Sequence, residues 1–276
     1  RMKKILKLIL PQFLKSFILN IVWKSKGRKF CFFYNLISRF LFNSKNKIIY
    51  DDKKYILNEH NFKWSFSYEK RGLWYMNGIK ERGKKLHRDY GVDGIEFNKD
   101  DVIIDVGADV GDFKNGFDKE IDYHAFEADP SLFDALTFNC SEKNCYNVGI
   151  WENETKEIIF YINKKNKKKS ITKVPGDVDE IKIKTTTLDN FIKKIDKKIK
   201  LIKIDTTGSE PEALYGLSKF LSKIEYIVVD ACAERGVMQK NTISECLNYM
   251  YKNNFHVVNF KLARSCILFH NKSKIS

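Results

Sequence analysis

From Asp101 to His270 the apolar residues come in short runs, separated by polar turns or by stretches of helical spacing. VIIDVG (102–107) is a buried-type run that ends in Asp and Gly. YHAFEA (123–128), NVGIW (147–151), LIKID (201–205) and YIVVDA (226–231) are further runs of strand length. PSLFDALTFN (130–139) reads as a helix with Pro130 in its first turn, and helices are expected near 210–222 and 241–253. Strands alternating with helices predict an α/β fold, a mostly parallel sheet with helices on both faces. FHVVNF (255–260) and SCILFH (265–270) have no helix between them, so this seven-stranded sheet should end in an antiparallel edge hairpin. EIIFYI (157–162) and IKIKTTTL (181–188) read as a separate antiparallel pair, with the lysine-rich NKKNKKKS (163–170) between them as a solvated loop.

The pattern upstream is different. Phe13, Leu14, Phe17, Ile18, Ile21 and Val22 recur in pairs every four residues, and Phe32, Phe33, Leu36, Ile37, Phe40 and Leu41 repeat that spacing. Both stretches predict amphipathic helices with Lys and Arg on the other face. IIYDDKKYIL (48–57) reads as a hairpin around Asp51 and Asp52, and a helix is expected from Trp74 to Tyr90. Aromatic and basic residues crowd this stretch, among them Trp64, Tyr68, Arg71, Trp74, Arg82 and His87. The chain divides on this reading into a basic helical segment (1–50), a linking region on the substrate side (51–99) and a catalytic domain (100–276).

Charge sharpens the picture of the first segment. Of the formal net charge of +15, residues 1–50 supply twelve Lys or Arg and no Asp or Glu. Such a segment seeks phosphate on anionic lipid or nucleic acid. Basic amphipathic helices rich in Phe and Leu can lie in a membrane interface; packing on the catalytic domain or on a second subunit is the other reading. No nucleic-acid-binding motif accompanies the charge. Met2 to Leu10 begins like a signal peptide, but Pro11 and Lys15 follow and no small-residue cleavage site appears. No stretch of 18 uninterrupted apolar residues is present. None of the six cysteines stands at CxxC or zinc spacing, so reduced thiols and a cytoplasmic protein are expected, peripheral at the inner membrane if the first segment docks there.

Candidate chemistry begins at Asp105-Val-Gly107-Ala108-Asp109-Val-Gly111, after an apolar strand and where a helix should open. Glycines there let the backbone turn sharply and approach a ligand. The spacing is neither the dinucleotide fingerprint nor a phosphate loop. Its carboxylates suit a ligand with cationic groups, such as the ammonium and sulfonium of S-adenosylmethionine (SAM). Glu127 closes the second strand, where an acid accepts from two ribose hydroxyls. Phe126 and Ala128, which flank Glu127, and Asn147 and Gly149 of the third predicted strand complete the candidate cofactor-binding set.

Four blocks in order resemble the FkbM-type methyltransferases over residues 100–232: IIDVGADVGDF, HAFEADPSLFDALTFN, IKIKTTTLDNFI and LIKIDTTGSEPEALYGL. The last is similar to the family's most distinctive block, usually I-K-I-D-V-E-G-x-E-x-x-V-L-x-G. The resemblance implies a Rossmann-like SAM-methyltransferase fold that methylates oxygen, commonly a sugar or polyketide hydroxyl. Asp109 stands where the family usually has Asn, Thr207 where it usually has Glu, and Asp230 where a Glu commonly ends the strand.

A sugar hydroxyl is a poor nucleophile, so a general base helps, typically by about 10²–10⁴-fold. Asp205, at the carboxyl end of a sheet strand, is the first candidate, with Glu210 and Asp230 behind it. Asp205 and Asp230 also offer two oxygen ligands to a divalent metal, which two oxygens alone do not define. His124 and His256, in strands, read as core or surface histidines, and Lys203 as structural. The expected acceptor is a sugar hydroxyl of a bacterial capsule, lipopolysaccharide or related glycan precursor. A soluble secondary metabolite, or SAM binding without turnover because of Thr207, are the alternatives. Homo-oligomerisation is left open.

Overall fold

The computed structural model describes residues 20–41, 46–140 and 142–274. Helix α1 (Gly27–Leu41) lies on a three-stranded antiparallel sheet of β1 (Lys47–Tyr50), β2 (Tyr55–Glu59) and β3 (Phe62–Phe66). The hairpin expected at Asp51 and Asp52 is the β1–β2 turn, where the Asp51 carboxylate accepts from Lys54 N at 2.8 Å and Asp52 takes a left-handed φ of 69°. Phe30, Tyr34 and Ile37 of α1 share a core with Ile48, Leu57, Trp64 and Phe66, and this core continues into Val110, Leu132 and Ala135 downstream. The apolar stripe of residues 32–41 does not all turn inward: Ile37 is buried, whereas Phe32, Leu36 and Phe40 are exposed. The stripe of residues 13–22 lies mostly outside the described residues.

A short helix α2 (Glu69–Gly72) and a single 3-10 turn (Leu73–Tyr75) precede α3 (Ile79–Tyr90), so the helix expected from Trp74 starts later. Gly78, at φ 106°, breaks the path, and the Glu59 carboxylate accepts from Ile79 N at 2.7 Å at the new helix start. Gly91, at φ 74°, ends α3 with a left-handed turn.

The main sheet holds β4 (Val102–Val106), β5 (Asp122–Phe126), β6 (Cys145–Tyr146), β11 (Ile199–Ile204), β12 (Ile224–Asp230), β13 (Phe255–Lys261) and β14 (Cys266–Asn271). A smaller sheet, ordered β7-β10-β8-β9, holds β7 (Gly149–Ile150), β8 (Thr155–Asn163), β9 (Lys169–Ser170) and β10 (Val178–Thr186). The main order is β13-β14-β12-β11-β4-β5-β6, and β14 runs antiparallel to both neighbours while the other pairings are parallel. This is the expected Rossmann-like α/β sheet with its edge hairpin. Alternate strand residues point to opposite faces. Ile104, Ile202 and Ile227 meet Leu214 of α4 (Glu210–Tyr215) and Met250 of α5 (Ile243–Lys252) on one side. Ile103, Leu201 and Val228 meet Leu86, Tyr90 and Phe113 on the other.

Three expectations are corrected. NVGIW is not one strand: β6 stays on the main sheet, and β7 crosses to pair with β10. Asn147 makes the turn by donating to the carbonyls of Glu127 (2.8 Å) and Ala128 (3.3 Å). The glycine loop opens onto only a 3-10 turn, Asp112–Gly116, because α3 already covers that face. The two pack so closely that a Cβ on Gly83 would lie 2.3 Å from Gly116 N. The helix near 210–222 stops at Tyr215, where a Cβ on Gly216 would meet the Trp151 carbonyl at 2.4 Å.

Candidate active site

A cavity of about 560 Å³ opens at the carboxyl ends of β4, β5 and β11. This is where open α/β sheets bind ligands, and the volume suits a small molecule. Gly107, Asp109, Phe126, Glu127, Ala128, Gly149 and Asp205 line it. Asp105, Ala108, Gly111, Asn147, Glu210 and Asp230 do not stand on its wall.

The loop that forms the floor is held from below. Gly107 N and Ala108 N both donate to Phe126 O, at 3.0 and 2.9 Å. Gly107 has φ 73°, and a Cβ there would sit 1.9 Å from the Asp205 carbonyl, so no side chain fits. Asp109 has φ 54°, in the left-handed region that Asn and Asp tolerate best among side-chain-bearing residues. Asp105, expected to grip the ligand, is fully buried under the loop. Its carboxylate accepts from Lys203 Nζ at 2.8 Å and from the Tyr123 hydroxyl, and Lys203 also donates to Gly107 O at 2.8 Å. Asp105 and Lys203 therefore shape the floor rather than face the ligand. Gly111 (φ 89°) packs against Cys140 and Leu136, also behind the loop.

Glu127 is buried, and each carboxylate oxygen accepts one backbone amide: Oε2 from Asp109 N and Oε1 from Asp129 N, both at 2.9 Å. Burial pushes its carboxyl up to about 7. Each oxygen keeps a further lone pair for a ligand hydroxyl. Opposite it, Asp109 Oδ2 pairs with the guanidinium of Arg71, whereas Asp109 Oδ1 is buried with no hydrogen-bond partner among the described residues. Arg71 is itself buried, reaching Asp112 at 2.7 Å and the Tyr75 hydroxyl at 2.9 Å. Trp64 Nε1 donates to Tyr75 Oη at 3.0 Å. Burial works against a charged Asp112, but Arg71 and Arg82 outweigh it and hold the carboxyl below its ordinary value. The aromatic and basic crowding between Trp64 and His87 was the only sequence signal of this support.

The catalytic candidates part company. Asp205 lines the cavity, and its Oδ2 accepts from the Tyr90 hydroxyl and, at 3.1 Å, from Arg264. Asp230 stands behind it on β12, bound to the same guanidinium, and burial followed by the Asp205 charge raises its carboxyl. Arg264 thus bridges the two carboxylates between which a metal was considered. Glu210 is no base for the acceptor: Oε1 accepts from Thr206 N (3.1 Å) and Gly208 N (2.8 Å), and Oε2 accepts from the Thr242 hydroxyl (3.0 Å). Burial pushes it up to about 8. It braces the loop that carries Thr207 onto the cavity wall, with Thr207 itself at a strained φ of 55°. Neither His124 nor His256 reaches the cavity. Tyr90 and Arg264 gave no sequence signal, because they meet Asp205 only through the fold.

The lysine-rich segment is also not the free loop its composition predicts. Asn166, Lys167, Lys168 and Lys169 form one wall of the cavity. Asn163 ties the turn, its Oδ1 accepting from Lys165 N and Asn166 N at 2.8 Å and its Nδ2 donating to Pro175 O at 2.6 Å. Lys169 pairs with Asp129 and Lys168 with Glu234 at 2.8 Å, while Lys167 is exposed with no ion pair among the described residues.

Among solved structures the chain is similar to a magnesium protoporphyrin IX methyltransferase from Synechocystis PCC 6803 with bound SAM (9% identity, TM-score 0.39, 72% of this chain and 83% of that one). It is also similar to an rRNA methylase from Streptococcus thermophilus (12%, TM-score 0.38, 67% and 96%). A third is a ribosomal protein L11 methylase from Lactobacillus delbrueckii subsp. bulgaricus (12%, TM-score 0.34, 69% and 76%). No curated protein matches. The family model described as the methyltransferase FkbM domain matches residues 105–257, more than half of the chain, and the chain belongs to the FkbM methyltransferase family.

Proposed function

We propose that this protein is a SAM-dependent O-methyltransferase that acts on a sugar hydroxyl of an anionic bacterial surface-glycan precursor, such as one of capsule or lipopolysaccharide. The observation that carries the cofactor reading is Asp109 Oδ1, a buried acceptor on a residue of the cavity wall with no hydrogen-bond partner among the described residues. A buried carboxylate oxygen left unpaired is costly, and a ligand ammonium satisfies it. Glu127 stands where two ribose hydroxyls could donate, and Gly107 presents backbone alone on the cavity wall. The donor and acceptor set therefore fits SAM, which supplies an electrophilic methyl on a good leaving group.

What remains for the chain is to orient the acceptor and take its proton. Orientation can contribute roughly 7–11 kcal/mol. Tyr90 and Arg264 hold Asp205 by Oδ2, which leaves Oδ1 for the acceptor hydroxyl. Lys167 on the opposite wall supports an acceptor with phosphate or carboxylate. Incubation with labelled SAM and a panel of nucleotide sugars, lipid-linked glycans and uncharged sugars tests the proposal. Label on a charged sugar is the expected result; label only on protein or nucleic acid overturns it.

Thr207 favours one other reading, a chain that binds SAM without turnover, because a family Glu position on the cavity wall carries a strained Thr. SAM binding by calorimetry with no product from the whole panel, followed by product from Thr207→Glu, would select it.

A further inference from the structure

We infer that the outer face of α1 is a docking surface for an anionic lipid bilayer. At about 100° per residue, Arg28, Lys29, Phe32, Leu36, Arg39 and Phe40 fall within one arc of roughly 120° on this helix, and all six are exposed. Phe32 is 63% exposed, Phe40 61% and Leu36 44%, while the opposite arc, with Phe30, Tyr34 and Ile37, is sealed against the three-stranded sheet. The helix is therefore anchored by one apolar face and presents a second. Burial of the first face makes the exposure of the second a property of the folded protein rather than of a loose segment.

Three large apolar groups share that arc with three cations, with no acid among them. Arg28 reaches Asp52 at 3.1 Å on the open surface, while Lys29 and Arg39 have no ion pair among the described residues. Trp23, 52% exposed just before the helix, lies under the Lys70 ammonium at 4.4 Å from its ring centroid. Two copies of this arc would set cation against cation, which disfavours pairing of the chain with itself through this face. An anionic bilayer matches both components: phosphates meet the arginines and lysine, and Phe and Leu enter the acyl boundary. Leucine and phenylalanine one helical turn apart offer no series of stacking platforms for bases, which disfavours single-stranded nucleic acid.

The full chain should co-sediment with phosphatidylcholine vesicles that contain phosphatidylglycerol, and far less with phosphatidylcholine alone. Added salt should weaken the binding. Phe32→Ser with Phe40→Ser should reduce it by on the order of tenfold or more, because two buried rings are lost from the bilayer. Arg39→Glu should weaken it severalfold by charge. Both variants lie outside the packed face, so the thermal midpoint should hold. Absence of vesicle binding, binding that ignores phosphatidylglycerol, or undiminished binding in the double Phe variant overturns the proposal. So does a double variant that changes only the oligomeric state in light scattering, or wild-type binding to RNA but not to vesicles.

Discussion

Lys203 on β11 donates to Asp105 on the adjacent strand β4 at 2.8 Å, with both side chains buried beneath the glycine loop. The same ammonium reaches Gly107 O at 2.8 Å, so the loop that floors the cavity rests on this pair. Removing one partner of a buried ion pair costs about 3–5 kcal/mol, because the other charge is left uncompensated. Asp105→Asn should therefore lower the thermal midpoint by on the order of 10 °C. Asp105→Asn with Lys203→Met should lower it by less than the sum of the two single changes. Additive losses in thermal melts would mean the two residues are not energetically coupled.

Gly107→Ala tests the floor directly. A methyl group 1.9 Å from the Asp205 carbonyl forces the β4 loop and the β11 end apart. The left-handed φ adds roughly 1–2 kcal/mol of strain. Calorimetric affinity for SAM should fall by on the order of tenfold or more, the equivalent of about 1.4 kcal/mol. An unchanged affinity would show that the ligand lies elsewhere.

Asp205→Asn separates chemistry from binding. Turnover should fall by about 10²–10⁴-fold, the usual contribution of a general base. SAM affinity should stay near wild type, since Asp109 and Glu127 stand in the loops that follow β4 and β5, not at the end of β11. Arg264→Gln should act through Asp205 and Asp230 by leaving two neighbouring carboxylates unbridged, shifting the pH–rate profile as well as its height. A uniform loss with an unmoved profile would make Arg264 only a structural tie.

Glu127 carries a pH dependence whose sign follows from its environment. Burial holds its carboxyl at about 7 against an ordinary 4.5. Between those values the folded chain keeps a proton that the unfolded chain has released, so this group's contribution to stability declines as pH rises from 4.5 through 7. Ribose hydroxyls donate to the ionised form, so SAM binding runs the opposite way. Affinity should weaken by about tenfold from pH 8 to pH 6, and Glu127→Gln should bind weakly with no such slope. Calorimetry at the two pH values decides it.

Glu210, held up to about 8 by burial, gives a stability signature instead. Its contribution declines as pH rises from 4.5 through 8. Glu210→Gln keeps an oxygen for Thr206 N and Gly208 N, so its thermal midpoint should stay close to wild type near pH 6. The variant should lose less than wild type on going to pH 9. Parallel pH slopes for the two proteins would contradict the buried-carboxyl account.

Residues that act on their immediate neighbours along the chain were legible in advance. The run at Val102–Val106, the turn at Gly107, the capped helix that begins at Pro130 and the closing antiparallel hairpin all follow from periodicity and turn chemistry within a dozen residues. Strand ends also place Glu127 and Asp205 at the same edge of a parallel sheet, which is why both stood out as candidates and both line the cavity. Assigning Asp105 to the ligand went astray because a strand-terminal carboxylate looks the same whether it faces a cavity or a buried lysine. That choice depends on Lys203, one strand over in space and far along the chain.

Local pattern carried the α/β architecture, the glycine loop and the acidic strand ends, because each rests on the alternation, spacing or backbone freedom of adjacent residues. Folding alone settled which acids meet the cavity, since Arg71 reaches Asp109, and Tyr90 and Arg264 reach Asp205, across separations that no periodicity encodes. It also turned a lysine-rich stretch into a cavity wall and split the apolar residues of α1 between core and surface. Burial and pairing of charge are properties of packed neighbours, and those neighbours exist only once the sheet has formed.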